Sequence, residues 1–323
     1  MPLAALFLAC ASPRVGAGHD SRTQLLAAAC ERAGMVVDRL VLDEGDSPAS
    51  HRRLTEALYR RAWDVVVLDG PDAFVDGRVD RLPPGALKVA FRMYGPGDGS
   101  GEDVAVTPSP AETYEDRRPD RLVVGGRAYL FVRPRLFEAR GVERDGVLVT
   151  MGGADPGDAT TLACEALEPL AYEHRVTVVV GRLNPRYEEL HRRFGGAFRV
   201  LRQVEADFDA LLSSAAVAVI NGGLTRYECV AAATPFVAVS LDERQAAFTD
   251  AVVSAGFGRH AGLLASASPR TILAMVRELL EQPGDRSEMA ERARGLVSPD
   301  APGAFALALA GWRARLVSGE GRP

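Results

Sequence analysis

The sequence has few cysteines and no excess of basic residues, and these absences argue against several classes of protein. Its 323 residues contain four cysteines, none at the CxxC spacing of a zinc site and none in a disulfide framework. This scarcity favours a reducing, cytoplasmic setting. The formal net charge of -5 at pH 7 offers nothing for nucleic acid to bind. No apolar run approaches the ~20 residues that a membrane-spanning helix requires.

Three familiar ligand motifs are also missing. No phosphate loop ends in Gly-Lys-Ser/Thr, which argues against an ATPase, and no complete G-x-G-x-x-G precedes an acidic residue, which argues against a nicotinamide enzyme. No acidic cluster resembles a DxD metal motif. We therefore expect a protein that works without a cofactor or a bound metal.

The opening segment LAALFLAC has two interpretations. It resembles the apolar part of a signal peptide or lipoprotein leader, but no basic residue precedes it. A glycine-rich turn and a helical segment follow it directly. A buried first strand is the favoured interpretation.

The chain is too long for one ordinary core, so two domains are expected. Strand-like runs alternate with helix-like segments, and the pattern restarts at Gly146 with GVLVTMGG. This alternation predicts two doubly wound, Rossmann-like α/β domains, residues 1–140 and 141–323, each built on a parallel sheet. The last helix is a candidate to pack back on the first domain. Ligands of such sheets bind at the carboxyl ends of the strands, so we expect a cleft between the domains.

Three glycine-containing turns each follow a predicted strand and open a helix. They are VGAGHDSR at residues 15–22, MGGADP at 151–156 and NGGLTRYE at 221–228. Glycine lets backbone N–H groups approach an anion, and a helix N-terminus adds unpaired donors and positive potential. One such turn is weak evidence for phosphate binding, but three directed at one cleft are much stronger.

The third turn leaves two interpretations open. Thr225 is placed to donate its hydroxyl to a phosphate, and Glu228, one helical turn later, to accept the hydroxyls of a ribose. The same pair fits a capping box, with Thr225 as N-cap and Glu228 three residues on. Gln245 follows the next strand and is either a sugar ligand or a solvated side chain.

The remaining candidates have ordinary explanations beside the functional ones. Asp69 ends a strand, where a carboxylate either contacts a sugar or caps local N–H groups. Arg22 either supports a phosphate or pairs on the surface. We interpret three histidines as surface groups, namely His51, His174 and His191. His260 lies near a strand edge and is not assigned a role.

Through these motifs, the sequence resembles the GT-B superfamily of nucleotide-sugar enzymes. GxGHxxR, GGADP and GGLTRYE carry the resemblance, which spans about residues 15–257. The segment RAYLFVRPRLFEARGVERDGVLVTMGGADP is closest to the pseudaminic-acid-pathway UDP-sugar hydrolases and the related spore-coat polysaccharide proteins. More distantly, the chain resembles the N-acetylglucosaminyltransferase that makes lipid II.

The resemblance implies a role for each matched position. It places the diphosphate at Gly223, Leu224 and Thr225, the ribose at Glu228 and the base at the loop near Val204. It also places Gly152, Gly153 and Ala154 along the cleft, opposite the catalytic His19, and the helix N-terminus at Gly153 is expected to help stabilise the diphosphate. Apart from the resemblance, we expect Gly18, Arg22, Asp69 and Gln245 on the sugar and acceptor side.

The first domain departs from the family pattern. Leu8-Ala9-Cys10 stands where the hydrolases have Arg-x-Asp, and Asp69-Gly70-Pro71 lacks the family's tyrosine. Phe91-Arg92-Met93-Tyr94 replaces a pair of aspartates. The nucleotide half therefore matches better than the sugar half.

Hydrolysis of a UDP-type sugar at its anomeric carbon is the leading hypothesis, with His19 as general base because imidazole titrates near neutrality. A glycosyltransferase with the same donor site is the alternative, and an inactive nucleotide-sugar-binding protein is the third. In the first two, Gly16 and Gly18 serve to place His19 rather than to bind an anion. The sequence predicts no oligomeric state.

Overall fold

The computed structural model describes residues 1–93, 101–108, 121–138, 143–203, 205–292 and 295–318. Tyr94 and Val204 lie outside these ranges, as does the polar stretch at 109–120. The chain divides into two compact units, unit 1 (Met1–Val132 with Ser298–Pro323) and unit 2 (Arg133–Val297). The division falls shortly before the boundary predicted after residue 140.

The elements of unit 1 up to the division are these, in chain order: β1 (Ala4–Cys10), α1 (Gly18–Arg32), β2 (Val36–Leu42), α2 (Pro48–Tyr59), β3 (Val65–Asp69), α3 (Asp72–Val79), β4 (Leu87–Phe91), β5 (Val104–Thr107), β6 (Leu122–Gly125) and a 3₁₀ turn (Arg127–Tyr129). Within the described ranges, six strands form one parallel sheet in the order β2-β1-β3-β4-β5-β6. The strand order changes direction between β1 and β3, which is where α/β sheets bind ligands.

The apolar run at the start of the chain is β1, an interior strand that lies between β2 and β3. Its side chains alternate between two cores, with Phe7 on the face that packs against α1 and with Leu6 and Leu8 on the opposite face. Burial on both faces explains why the segment is continuously apolar rather than alternating. The interpretation of LAALFLAC as a buried strand is confirmed.

Unit 2 follows with these elements: α4 (Arg135–Glu138), β7 (Val147–Thr150), α5 (Ala159–Leu167), a 3₁₀ turn (Glu168–Leu170), β8 (Val176–Val180), α6 (Tyr187–Phe194), β9 (Arg199–Arg202), α7 (Glu205–Ser214), β10 (Val217–Asn221), α8 (Thr225–Ala232), β11 (Phe236–Ser240), α9 (Glu243–Ser254), β12 (Arg259–Leu263), α10 (Pro269–Glu281) and α11 (Pro283–Arg292). Six strands of the part of unit 2 that the structure describes form a parallel sheet, in the order β12-β11-β10-β7-β8-β9. Here the order changes direction between β7 and β10. Both units are doubly wound, as predicted.

The last helix, α12 (Ala301–Ser318), belongs to unit 1. Phe305, Leu309 and Trp312 recur at helical spacing and are buried against α1 and the sheet. Burying a side chain of this size stabilises a fold by about 1.5–3 kcal/mol. Its ring contacts link Phe305 to Phe91 at 5.8 Å and to Phe131 at 5.3 Å between centroids.

The four cysteines are buried and form no disulfide. Burial raises the pKa of Cys10, Cys30 and Cys164 to about 12, so these thiols stay protonated at neutral pH. None of the helices in the described ranges is long and apolar enough to cross a lipid bilayer.

Candidate functional site

In unit 1, the structure brings His19, Arg22 and Asp69 together, and we call these three residues the His19 cluster. The first glycine turn closes with a hydrogen bond from the Gly16 N–H to the Ser12 carbonyl, 2.7 Å. Gly16 has φ +87°, a conformation that favours glycine. The helix α1 starts at Gly18, so His19 and Arg22 lie one turn apart on its first turns. Asp69 is the last residue of β3, beside β1, so the cluster lies at the switch point of the sheet.

Asp69 joins the three side chains. Its Oδ1 lies 2.7 Å from His19 Nδ1. Arg22 donates from Nε to Oδ2 at 2.7 Å and from Nη2 to Oδ1 at 2.5 Å, the two-pronged geometry of a strong arginine–carboxylate pair. Asp69 is fully buried and Arg22 nearly so, whereas the His19 side chain is 16% exposed. The histidine is therefore the member of the cluster that solvent reaches.

The charge state of Asp69 determines the tautomer of the histidine. Burial alone would raise the pKa of Asp69, but the charge of Arg22, followed by His19, outweighs it, so this pKa lies below its ordinary value. An ionised carboxylate only accepts hydrogen bonds, so His19 Nδ1 carries the hydrogen and donates it. In the neutral ring the lone pair is then on Nε2, the nitrogen that does not face Asp69.

Two further residues position Arg22, and neither was expected from the sequence to contact it. Its guanidinium carbon lies 4.6 Å from the centre of the Phe91 ring, and Nη1 donates to the Met93 sulfur at 3.0 Å. Both belong to the segment Phe91-Arg92-Met93, where the sequence resemblance to the hydrolases predicts a pair of aspartates. The segment has a structural role in the chain, because Phe91 and Met93 contact Arg22, and Arg22 in turn binds Asp69.

The structure corrects both interpretations of Asp69 and one of Arg22. Asp69 is completely buried with both oxygens bound to His19 and Arg22, so it neither reaches a sugar directly nor acts as a cap. Arg22 is buried, so it is not a surface pair. Among the three side chains of the cluster, His19 is the one that reaches the surface.

Arg92, the residue between Phe91 and Met93, belongs to a separate buried network. It pairs with Glu102 at 3.2 Å and with Asp76 at 2.7 Å, and Glu102 also pairs with Arg121 at 2.6 Å. The charge of Glu102 keeps the pKa of Arg92 above its ordinary value although burial acts in the opposite direction. Arg92 also pairs with Asp72 at 3.3 Å, so this segment places a buried arginine among carboxylates.

In unit 2, the second and third glycine turns lie side by side, because they follow β7 and β10 at the switch point of that sheet. Asn221 joins them: its Nδ2 donates to the Met151 carbonyl at 3.0 Å, and its Oδ1 accepts from the Gly223 N–H at 3.2 Å. The Asn221 side chain thus accepts from the Gly223 N–H, one of the donors that the resemblance assigns to the diphosphate. The N–H groups of Leu224 and Thr225, at the start of α8, are left for that role.

The position at which α8 starts decides between the capping and the phosphate-binding interpretations of Thr225. The N-cap is Leu224, with no side-chain cap, and Thr225 is the first helical residue. The predicted capping box therefore does not form. Glu228 binds Arg133 instead, with 2.8 Å between Arg133 Nη1 and Glu228 Oε1.

The second turn has a structural role that corrects the expectation for Gly153. Asp155 accepts from the Ala159 N–H at 2.8 Å and from the Thr160 N–H at 3.0 Å, so its carboxylate satisfies the first donors of α5. A phosphate at the N-terminus of α5 would therefore have to displace the Asp155 carboxylate from these N–H groups. The Gly153 carbonyl accepts from the Leu183 N–H at 2.8 Å, which ties the turn to the loop after β8.

Gly181 makes the packing of this turn testable. A Cβ atom at Gly181 would lie 2.1 Å from the Gly152 carbonyl oxygen and 2.5 Å from the Gly153 carbonyl carbon, both backbone atoms. We expect Gly181→Ala to destabilise unit 2 by roughly 1–3 kcal/mol, the usual effect of overpacking. Chemical denaturation followed by circular dichroism measures it. Gly196→Ala, with open space around its Cβ, is the control, and equal stability of the two variants would contradict the packing.

Gln245 lies against the third turn, with its Cβ 3.0 Å from where a Cβ of Gly222 would be. Its Oε1 accepts from the Leu241 N–H at 3.1 Å, which orients the amide and directs its NH₂ group away from that contact. Val204, expected near the base, lies outside the described residues. Gly18 forms the first residue of α1.

One arrangement in unit 2 was not found from the sequence. His260 Nδ1 lies 2.7 Å from Asp250 Oδ1, and its Nε2 lies 3.0 Å from Ser240 Oγ, which are the contacts of a serine-hydrolase triad. Ser240 is fully buried, with its hydroxyl packed under Gly222. A nucleophile must reach its substrate, which the buried Ser240 cannot do. Ser240, His260 and Asp250 therefore support the third turn structurally.

Comparisons with known proteins show the fold. No family model and no curated protein sequence matches the chain. Among solved structures, the chain is similar to Acinetobacter baumannii MurG, at 15% identity and TM-score 0.61, covering 96% of this chain and 100% of that one. It is similar to the spinosyn forosaminyltransferase SpnP, at 16% identity, TM-score 0.65 and coverage of 97% and 99%. It is also similar to S. aureus MnaA in complex with UDP, at 11% identity, TM-score 0.68 and 98% of both chains. The predicted GT-B fold, with two Rossmann-like units, is confirmed, and the closer resemblance to the pseudaminic-acid-pathway hydrolases stays a prediction.

Proposed function

We propose that this protein is an enzyme that cleaves a nucleotide sugar at its anomeric carbon. The observation that carries the proposal is the hydrogen bond between His19 and the buried Asp69, which Arg22 fixes from the other side. An oriented imidazole with its acceptor nitrogen directed away from the carboxylate is the arrangement of a general base.

The three residues of the His19 cluster have separate tasks in this proposal. His19 Nε2 takes the proton from the attacking oxygen as that oxygen bonds to the anomeric carbon. Asp69 stabilises the imidazolium that forms and keeps Nδ1 protonated. Arg22 keeps Asp69 ionised and in place, so that His19 needs no rearrangement during the reaction.

Unit 2 is proposed to hold the nucleoside diphosphate at the third glycine turn. As the bond between the anomeric carbon and the diphosphate oxygen breaks, its electron pair and negative charge pass to the diphosphate. The N–H groups of Leu224 and Thr225, the Thr225 hydroxyl and the positive end of α8 stabilise that charge. Glu228 accepts from the ribose, and the amide of Gln245 donates to the sugar. The presence of UDP in the structurally similar MnaA complex supports a uridine nucleotide.

The attacking molecule separates two versions of the function. Attack by water makes the protein a hydrolase, the version that the sequence resemblance favours. Attack by an acceptor hydroxyl makes it a glycosyltransferase, which is supported by the replacement of the hydrolases' acidic pair by Phe91-Arg92-Met93 and by the similarity to transferase structures.

A panel of nucleotide sugars, incubated with and without candidate acceptors in a buffer that contains a chelator, tests the proposal. We expect release of nucleoside diphosphate from at least one UDP-sugar, with or without acceptor. In ¹⁸O-labelled water a hydrolase places the label in the sugar, and label in the phosphate would contradict attack at carbon. Binding without turnover under every condition would instead identify a nucleotide-sugar-binding protein.

A further inference from the structure

Arg133 lies at the first position of unit 2 and contacts the carboxylate that the proposed function assigns to the ribose. Its Nη1 is 2.8 Å from Glu228 Oε1, and its Nε donates to Asp209 Oδ1 at 2.7 Å. The guanidinium also lies over the Phe208 ring, 5.5 Å from its centre. One arginine therefore joins the carboxylates of α7 and α8.

The backbone around Arg133 is suited to hold this side chain still. Pro134 follows it, and a proline restricts the preceding residue to extended conformations. The Asp209 side chain is 7% exposed, so the second anchor of the guanidinium is itself buried. The planar fork of an arginine transmits this orientation to Glu228, which a flexible lysine would not do.

Glu228 needs such a partner to act on a ribose. Its side chain is 16% exposed, so it reaches the surface of the third glycine turn without being fully buried. A carboxylate side chain without a partner samples several rotamers on a helix. Binding a ligand then costs the conformational entropy of fixing that side chain in one rotamer. With Oε1 held by Arg133, the remaining oxygen is oriented before the nucleotide arrives.

We propose that Arg133 is a positioning residue for Glu228 and thereby sets the preference of the site for a ribose over a deoxyribose nucleotide. The inference rests on the proposed function, because it needs a nucleotide at the third turn. It extends that function by naming the residue, distant in sequence, on which recognition of the ribose hydroxyls depends.

The test measures the dissociation constants of UDP and of 2′,3′-dideoxy-UDP by calorimetry for the wild type, Arg133→Gln, Glu228→Gln and the double variant. A hydrogen bond to a charged group contributes about 1.5–3 kcal/mol, so we expect the wild type to prefer UDP by roughly 10–100-fold. In Arg133→Gln this ratio should fall toward the value of Glu228→Gln. The double variant should lower it no further, because both residues act in the same interaction.

The outcomes separate the inference from the function it rests on. A wild type that binds neither nucleotide overturns both. A wild type that prefers UDP, together with an Arg133→Gln variant that weakens both nucleotides equally, overturns only the inference and makes Arg133 purely structural. Arg135→Gln, an exposed neighbour on α4, should keep the wild-type ratio. If Arg133→Gln does not fold, Arg133→Lys decides, since it retains the charge and is expected to lose most of the preference, and an unchanged ratio would overturn the inference.

Discussion

Replacing His19 by asparagine is expected to lower kcat by about 10²–10⁴-fold, the range that a general base contributes. Asparagine retains a polar side chain near Asp69 but cannot take up a proton. The nucleotide is proposed to bind in unit 2, so the affinity for UDP should stay close to that of the wild type. The measurement is steady-state turnover of the donor found in the panel, paired with calorimetric binding of UDP.

His51→Asn is the matched control, because His51 is an exposed histidine of unit 1 whose ring contacts only the exposed Arg81 among the described residues. It should turn over at the wild-type rate. Wild-type kcat in His19→Asn would remove this residue from the chemistry, and an equal loss of UDP binding would make its role one of binding rather than catalysis.

Replacing Asp69 by asparagine is expected to destabilise unit 1 by about 3–5 kcal/mol. The variant leaves the buried guanidinium of Arg22 without its carboxylate, and an uncompensated buried charge has a cost of this size. The two tryptophans of the chain, Trp63 and Trp312, are both buried in unit 1. Urea unfolding followed by tryptophan fluorescence therefore reports on this unit alone.

The same variant should change the response to acid. The pKa of Asp69 is lowered in the folded protein, so the unfolded chain binds the proton more readily. This stabilisation is present above the pKa of an unfolded aspartate, about 3.9, and is lost as the pH falls through the lower folded value. The difference in stability between wild type and Asp69→Asn should therefore shrink as the pH is lowered below about 4.

Asp38→Asn serves as the control for both measurements. Asp38 pairs with Arg60 at 3.2 Å, but the Arg60 side chain is 62% exposed, and such surface pairs contribute about 0–1 kcal/mol. If Asp69→Asn were no less stable than Asp38→Asn, the buried pair would not hold unit 1 together as described.

The interior strands of both sheets could be predicted from the sequence, and so could the edge strands β2 and β9, but the edge strands β6 and β12 could not. Strands such as β1 and β3 are buried on both faces and appear as continuous apolar runs. The edge strands β6 and β12 are only half-buried along their lengths, and β12 contains Gly262 at φ +94°. Neither has the apolar run or clear alternation that predicts a strand, and both were missed.

Some features of the candidate site could likewise be predicted from the sequence, and others could not. His19 was found because it directly follows a glycine turn. Its pairing with Asp69, fifty residues away, depends on β3 lying beside β1, which the sequence does not reveal. Asp155 could have been found, since an aspartate just before a helix commonly binds its first N–H groups. The contact between Arg133 and Glu228 had no local signal, because it joins segments far apart in the chain.

The return of α12 to unit 1 has a consequence for synthesis on the ribosome. Unit 2 is continuous in sequence, whereas unit 1 also needs residues 298–318, which follow the whole of unit 2. Until then, the rings of Phe91 and Phe131 lack the cover of Phe305. Phe91 also lies under Arg22, so the group that orients His19 gains its final support only after residues 298–318 have emerged. The proposed nucleotide site therefore depends on one continuous segment of chain, whereas the proposed base depends on segments from both ends of unit 1.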